Sequence, residues 1–392
     1  MTSHEPGATA RRVAEVRALR RLTQSQLATA AAVSLSLIRK IEQGSRRATP
    51  DMLGAIAAAL DVEPRTLTGA PEHTESRVHA LLPDLRRALE SYDMPDDGPL
   101  RTLAELRGAV SDTVDWRLAS QYTRIAQHLP ALLEELCRAV QLHRGADQQE
   151  AFRLLALAYR AADGVAYKFG YRDLSSRIIE LMRWAASGAA DELLDAAVAY
   201  VRTEVFFANH NLRHGLRALD SAAGLVRPGT SAQAAAAYGS LHMRAAVVAA
   251  RCGDAAACDH LGEAHDAARH VSEGVYHGTA FGPSSVRVHA VAVAVERGDG
   301  GAAVQQAAGW APPLQLPAER RSHYYIDLAR AQLWVGHRDK ALTCLQAARD
   351  IAPQHVREHP QVRQTLATLL RLGRTCPETL RTFARWVGLV QR

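Results

Sequence analysis

The chain is predicted to be all-α, with a small head of five helices followed by a long body of stacked helix pairs. Three observations carry this reading. Apolar residues recur at helical spacing across residues 13–67, with cap residues at matching offsets. Strand signatures are nearly absent afterwards: β-branched runs are short and lie in alanine-rich context, as in Ala245-Ala246-Val247-Val248. Short turn points recur along the body at intervals of roughly 37 to 45 residues.

In the head, Thr23 caps a helix, and Gln26, three residues on, reaches back to close a capping box. That helix carries an apolar face of Leu27, Ala28 and Ala31. Small Ala31 and Ala32 allow a sharp turn, and Val33 plugs the bend. Ser34 caps the next helix, whose Ile38 and Ile41 point inward. Gly44 ends it, because glycine tolerates the left-handed cap conformation. Thr49-Pro50 opens a further helix, cap and first-turn proline in the preferred order, apolar at Leu53, Ile56, Ala57 and Leu60.

These residues closely resemble the phage-repressor-like (XRE) helix-turn-helix family. The match runs through Arg17, Leu19, Thr23-Gln24, Leu27-Ala28, Val33-Ser34, Ile38, Ile41-Glu42, Gly44, Pro50, Leu53, Ala57, Leu60, Val62 and Leu67, nearly the whole head. The resemblance implies that Arg17 pairs with Glu42 and pins the first helix to the recognition helix. It also implies base contacts at Leu35, Ser36 and Lys40, and a DNA-backbone contact at Gln24.

With Ile38 and Ile41 inward, the recognition helix presents Leu35, Ser36, Arg39, Lys40 and Gln43 on its opposite face, beyond the Ser34 cap. Ser36 suits any base edge, and Lys40 suits guanine acceptors. Leu35 departs from the polar residue usual there; it meets a thymine methyl or packs within the protein. Arg46 and Arg47, just past Gly44, are placed for phosphate, which positions without specifying. Charge agrees: residues 1–69 hold ten Arg or Lys against six acids, a net +4, where the whole 392-residue chain is only +6.

Composition sets further bounds. The chain is long enough for two or three domains. No apolar run reaches membrane-span length and the N-terminus lacks a hydrophobic signal core, so a cytoplasmic protein without membrane contact is expected. Five scattered cysteines form no CxxC pair, which fits a reduced compartment. Three lysines against 44 arginines look like a GC-rich genome.

Residues 1–70 thus form the DNA-binding domain. A helical linker is expected over 71–99, apolar at Val78, Leu81, Leu82, Leu85 and Leu89, and broken by Met94-Pro95-Asp96-Asp97-Gly98-Pro99. Over 100–392 the recurring turns are Phe169-Gly170-Tyr171-Arg172, His210-Asn211-Leu212, Cys252-Gly253-Asp254, Arg297-Gly298-Asp299, Val335-Gly336-His337 and Leu372-Gly373-Arg374. This resembles a tetratricopeptide array stretched beyond its usual period of about 34 residues. One such unit cannot bury its own apolar face, so stacked pairs would make a right-handed α-solenoid with a concave surface; an unrelated α-helical bundle is the alternative. The domain order is similar to peptide-sensing regulators of Gram-positive bacteria and to a set of actinobacterial regulators. Segments 281–289 and 317–330 resemble the latter set.

No catalytic constellation emerges, and no enzyme activity or cofactor is expected. His210/His214 and His355/His359 have the i, i+4 spacing of metal ligands, but neither has the adjacent Glu of a zinc hydrolase. They read as polar surface histidines, and no metal is expected. Gly298-Asp299-Gly300-Gly301 lacks the lysine and the preceding strand of a phosphate loop. First helices of tetratricopeptide pairs line the concave face, which makes Arg202, Asn209, Arg244, Arg287, His289, Tyr324 and Asp327 the candidate effector contacts. Asn209 and Asn211 are the only asparagines; in peptide-sensing relatives such an amide clamps a peptide backbone.

The expected protein is a sequence-specific transcription regulator of double-stranded DNA. It would be a homodimer on a palindromic operator, because one recognition helix reads too few base pairs. The body would dimerise it and sense a small-molecule or peptide effector, in control of specialised-metabolism or developmental genes. The alternative is an interaction scaffold whose head recruits a protein; the basic head favours DNA.

Overall fold

The computed structural model describes residues 6–20, 22–46, 48–60, 62, 67, 74–372 and 377–389. The chain divides into two compact units, one up to residue 73 and one over 74–390.

The head contains α1 (Pro6–Leu19), α2 (Gln24–Ala30), α3 (Leu35–Glu42) and α4 (Pro50–Ala59). The last three each begin on a side-chain cap that satisfies an N–H left without an intrahelical partner. Thr23 and Gln26 form the full capping box, Ser34 accepts from the Leu37 N–H at 3.2 Å, and Thr49 accepts from the Met52 N–H at 3.3 Å. Between α2 and α3 the chain reverses through Ala32 at φ 53°, in the left-handed region that a residue with a Cβ enters only at a cost. Val13, Leu27, Ala28, Ile38, Ile41, Ile56, Ala57, Leu60 and Leu67 make one buried core. The fifth helix expected after Leu60 lies outside the described residues, apart from Val62 and Leu67.

The body runs α5 (Thr74–Glu90), α6 (Leu103–Leu118), α7 (Tyr122–Leu142), α8 (Gly145–Lys168), α9 (Arg172–Ala189), α10 (Glu192–Ala208), α11 (Leu212–Ala223), α12 (Ala232–Cys252), α13 (Ala257–Ala268), α14 (Pro283–Glu296), α15 (Gly300–Ala307), α16 (Ala318–Trp334), α17 (Arg338–Ile351), α18 (Pro353–Glu358), α19 (Pro360–Leu372) and α20 (Glu378–Trp386). Successive helices pack on one another, as expected of a helical-repeat fold. The helix foreseen as a linker is the body's first helix: Val78, Leu82, Leu85 and Leu89 of α5 share a buried cluster with Leu129, Leu133 and Leu136 of α7.

The recurring turns have one geometry. After α8, α12, α14 and α16 a glycine at positive φ (Gly170, Gly253, Gly298, Gly336) lets the following N–H reach back across the last turn. Tyr171 donates to Ala166 at 2.9 Å, Asp254 to Ala249 at 2.9 Å, Asp299 to Ala294 at 3.0 Å and His337 to Gln332 at 2.8 Å. His210 does the same work without glycine, at φ 55°. Residues 373–376 lie outside the described residues.

One feature departs from the all-helical reading. β1 (Gly274–Tyr276) and β2 (Thr279–Phe281) form an antiparallel hairpin, with Val275 opposite Ala280. Its turn residues His277 and Gly278 both take positive φ, the signature of a type I′ turn. Phe281 anchors it, fully buried against Gly239 of α12, where a Cβ would lie 2.1 Å from the ring. The Glu273 carboxylate accepts from the N–H groups of Ser284 and Ser285 at 2.8 and 3.0 Å and so caps α14. Segment 281–289 is the junction that seats this hairpin.

Distant parts of the body also meet. Thr123 at the start of α7 donates its N–H to Gln354 Oε1 at 3.2 Å, Tyr122 Oη lies 3.5 Å from His355 Nδ1, and Lys168 at the end of α8 pairs with Glu319 of α16 at 3.0 Å. The stack of pairs therefore closes across its own interior.

Candidate nucleic-acid interface and interior polar site

In the head, Ile38 and Ile41 of α3 are buried, which turns Ser36, Arg39 and Lys40 to solvent, with Gln43 following at the C-cap. Ser34 is exposed at the N-cap and Arg46 is exposed just beyond. Leu35 is half-buried and packs on the head's core, so packing claims much of this side chain. Arg47 lies outside the described residues.

What holds α3 is a carboxylate with three donors. Arg17 Nε donates to Glu42 Oε1 at 2.7 Å, Arg17 Nη2 to Oε2 at 3.1 Å, and Gln24 Nε2 to Oε2 at 2.7 Å. Arg17 also donates to the Leu22 carbonyl at 2.8 Å. The hydrogen bonding that Arg17 donates to Glu42 raises the already high pKa of the guanidinium, against the opposing pull of desolvation. Glu42 thereby ties α1, α2 and α3 together. The amide nitrogen of Gln24, expected at the DNA backbone, is spent on this lock.

The body's interior collects polar side chains that hydrophobic patterning does not single out. They come from alternate helices: Arg160 and Lys168 (α8), Tyr200 (α10), Arg244 (α12), His289 (α14), and Glu319, Arg320, His323 and Asp327 (α16). Arg244 Nε donates to Thr203 Oγ1 at 2.7 Å and its guanidinium lies over the Tyr200 ring at 5.2 Å. Arg320 Nη1 sits 2.7 Å from His289 Nε2, while His289 Nδ1 lies 2.9 Å from the Ser285 carbonyl, the arrangement of a neutral imidazole protonated at Nδ1. The hairpin tip enters the same cluster: Arg160 donates to the His277 carbonyl at 2.8 Å, and Arg117 of α6 to the Gly278 carbonyl.

Charge is distributed unevenly here. Burial opposes ionisation of Glu319, but Lys168 and Arg117 outweigh it and hold the carboxyl down at about 2. Burial, with Arg117 beside it, lowers Arg160 to about 9. Burial raises Asp327 to about 7 in spite of Arg330 at 3.3 Å. Burial, then the charge of Arg320, pushes His289 well below its usual range. The outcome is a cationic interior in which Arg160 and Arg117 close on the hairpin's own carbonyls while Arg244 and Arg320 donate to side chains.

Of the candidate effector contacts, Arg244, His289 and Asp327 fall in this cluster and the other four do not. Arg202 lies over Phe206 of its own helix, Asn209 is exposed at the C-cap of α10, and Arg287 is exposed over Trp310. Tyr324 is buried, its hydroxyl 3.4 Å from the Trp310 carbonyl. For Arg287 the reason is angular: residues two apart on a helix point nearly opposite ways, so His289 and Arg287 cannot share a face. Arg160, Lys168, Tyr200, Glu319, Arg320 and His323 were not anticipated, although the last three lie in the segment 317–330 that the sequence singles out. Separately, a cavity of about 250 Å³ opens between α6 and α7, lined by Trp116, His128, Asp112, Arg101 and Glu135.

Of the four histidines expected on the surface, His210 and His214 are exposed, but His355 and His359 are drawn inward. His355 is 1% exposed and His359 is half-buried, and both meet His323. His214 does lie exposed, its Nδ1 held by Asn211 Oδ1. Among the described residues no helix is long and apolar enough to cross a membrane.

Comparison with known proteins agrees with the head's geometry. The helix-turn-helix family model matches residues 13–67, so the N-terminal unit carries a helix-turn-helix domain. No curated protein matches the chain. Among solved structures it is similar to Bacillus thuringiensis PlcR in complex with the peptide PapR7 and DNA, at 17% identity over 67% of this chain and 94% of that one, with a TM-score of 0.30. It is also similar to a point mutant of PrgX, at 9% identity over 96% of this chain and 99% of that one, with a TM-score of 0.22. At such values the fold rests on this chain's own packing: a helix-turn-helix head and an all-helical body of stacked pairs.

Proposed function

We propose that this protein is a sequence-specific DNA-binding transcriptional regulator, not an enzyme, whose body senses an effector and brings two heads together on a palindromic operator. The observation that carries the reading is the recognition helix itself. Its apolar side is buried, its carboxylate end is locked by Arg17 and Gln24, and Ser36, Arg39 and Lys40 remain exposed on a head with net +4 charge. The effector is a peptide or small anionic metabolite, and the polar interior around Arg244, His289 and Arg320 supports that class. The same reading calls for two-fold pairing, since a single helix reads too few base pairs. The regulated genes are a specialised-metabolism or developmental set.

Genome-wide mapping of bound sites followed by footprinting tests the reading. Lys40→Ala should cost about 1–3 kcal/mol on the operator and relax preference at one base pair, whereas Arg46→Ala should weaken all duplexes alike and flatten the salt slope by about one. Affinity and site preference both unchanged in Lys40→Ala would reject the assignment of α3 as the reading helix.

A further inference from the structure

Three histidines gather at the closure of the body, with His323 at the edge of the polar interior and His355 and His359 beyond it. His323 lies on α16, His355 on α18, and His359 at the end of α18, where the chain turns into α19. One ring nitrogen from each falls within 4.8 Å of the other two. The rings are tilted to one another, with centroids 5.2 Å apart for His323–His359 and His355–His359 and 5.9 Å for His323–His355. They converge instead of stacking.

Two of these nitrogens have no hydrogen-bond partner. His355 Nε2 and His359 Nδ1 are both shut from solvent and bond to nothing among the described residues. His355 is 1% exposed, so water does not compensate it. Folded proteins rarely leave such atoms unmatched, and each one calls for an explanation. The other nitrogen of His355 does have a neighbour, the buried Tyr122 hydroxyl at 3.5 Å. That is the arrangement of a metal-ligating histidine, with one nitrogen facing the ion and the other oriented by an outer group. Asp327, one turn along α16, holds Oδ2 3.7 Å from His323 Nε2 and can serve as a fourth ligand or as the carboxylate that orients His323. Positive charge near the site is partly neutralised, since the Lys168 ammonium is paired with Glu319 at 3.0 Å and Arg330 with Glu296 at 3.0 Å.

From this convergence we infer that His323, His355 and His359 form a binding site for a borderline divalent transition metal, Zn2+ being the natural occupant. Three imidazoles with room for one further ligand suit Zn2+ better than oxygen-seeking Mg2+ or Ca2+. Tetrahedral Zn–N bonds of 2.0–2.1 Å place ligand nitrogens about 3.4 Å apart, so the rings need only turn inward to close on the ion. The site would bolt α16 to α18. Through Tyr122 and the Thr123–Gln354 bond it would also hold the closure onto α7.

The test uses the full-length chain with any affinity tag removed, stripped with chelator and reloaded. One equivalent of Zn2+ should remain after gel filtration, the melting temperature should rise with Zn2+, and Co2+ should give the intense visible absorption of a tetrahedral site. His323→Ala removes a partly exposed ligand. It should weaken Zn2+ binding roughly tenfold or more and abolish the Co2+ band, while the helical circular dichroism of the metal-free protein stays unchanged. His260→Ala, at a separate histidine contact with His242 (3.0 Å), is the control and should bind normally. Absence of stoichiometric metal in the wild-type chain would overturn the proposal. So would equal loss in His260→Ala, or full retention of binding in His323→Ala.

Discussion

Replacing Glu42 with alanine tests how the recognition helix is held. The side chains of Arg17 and Glu42 are only 19% and 6% exposed, so this pair is not a surface ion pair worth a fraction of a kcal/mol. Three bonds end on the carboxylate, two from Arg17 and one from Gln24. A charge-assisted bond contributes about 1.5–3 kcal/mol, and stripping one partner from a buried pair costs about 3–5 kcal/mol. Here Arg17 keeps the Leu22 carbonyl and some contact with water, which lowers the cost to about 2–3 kcal/mol. For a unit of this size that is a large share of a stability of about 4–10 kcal/mol. Hydrogen exchange on the full-length chain reads it locally. Amides of α1 and α3 that exchange by unfolding of the head should lose protection on the order of 30- to 150-fold, with the body as internal control. Glu42→Gln, which keeps the shape and can still accept, should lose less. Unchanged head protection in Glu42→Ala would refute the lock and with it the physical account of how α3 is presented.

Other expectations follow from the body. Gly239→Ala drives a methyl into the Phe281 ring and should cost about 1–3 kcal/mol in a thermal or urea melt, with part of the loss recovered in the double variant carrying Phe281→Leu. His289 is held neutral in the fold, by burial first and then by Arg320, so its folded pKa lies below the unfolded value near 6.5. Its contribution is therefore complete above about pH 6.5 and is lost as pH falls, by up to about 2 kcal/mol between pH 6.5 and 5. His289→Gln should flatten the stability–pH curve in that window, while Asp327, raised to about 7, acts with the opposite sign. If the body is the dimeriser, residues 74–392 should sediment as a dimer and residues 1–73 as a monomer; a dimeric head with a monomeric body would reverse the division of labour.

The head was legible in the sequence because its determinants are local. Caps at Thr23, Ser34 and Thr49 act three residues away, and the inward spacing of Ile38 and Ile41 by itself decides which face of α3 stays exposed. The repeat was legible for the same reason, since Gly170, Gly253, Gly298 and Gly336 mark one helix-ending geometry that involves only neighbouring residues. Periodicity also pointed to the first helices of the pairs, but not to the side chains that converge between them. Only tertiary packing decides that Lys168 meets Glu319, that Arg160 and Arg117 grip the turn of a hairpin more than a hundred residues downstream, and that His323 joins His355 and His359. The hairpin itself was hidden, because two three-residue strands carry no periodic signal and depend on a glycine in another helix that admits Phe281. Sequence determines which residues can bury and where helices stop; which polar groups then share one low-dielectric interior, and so acquire their charge states, depends on how the pairs close in space.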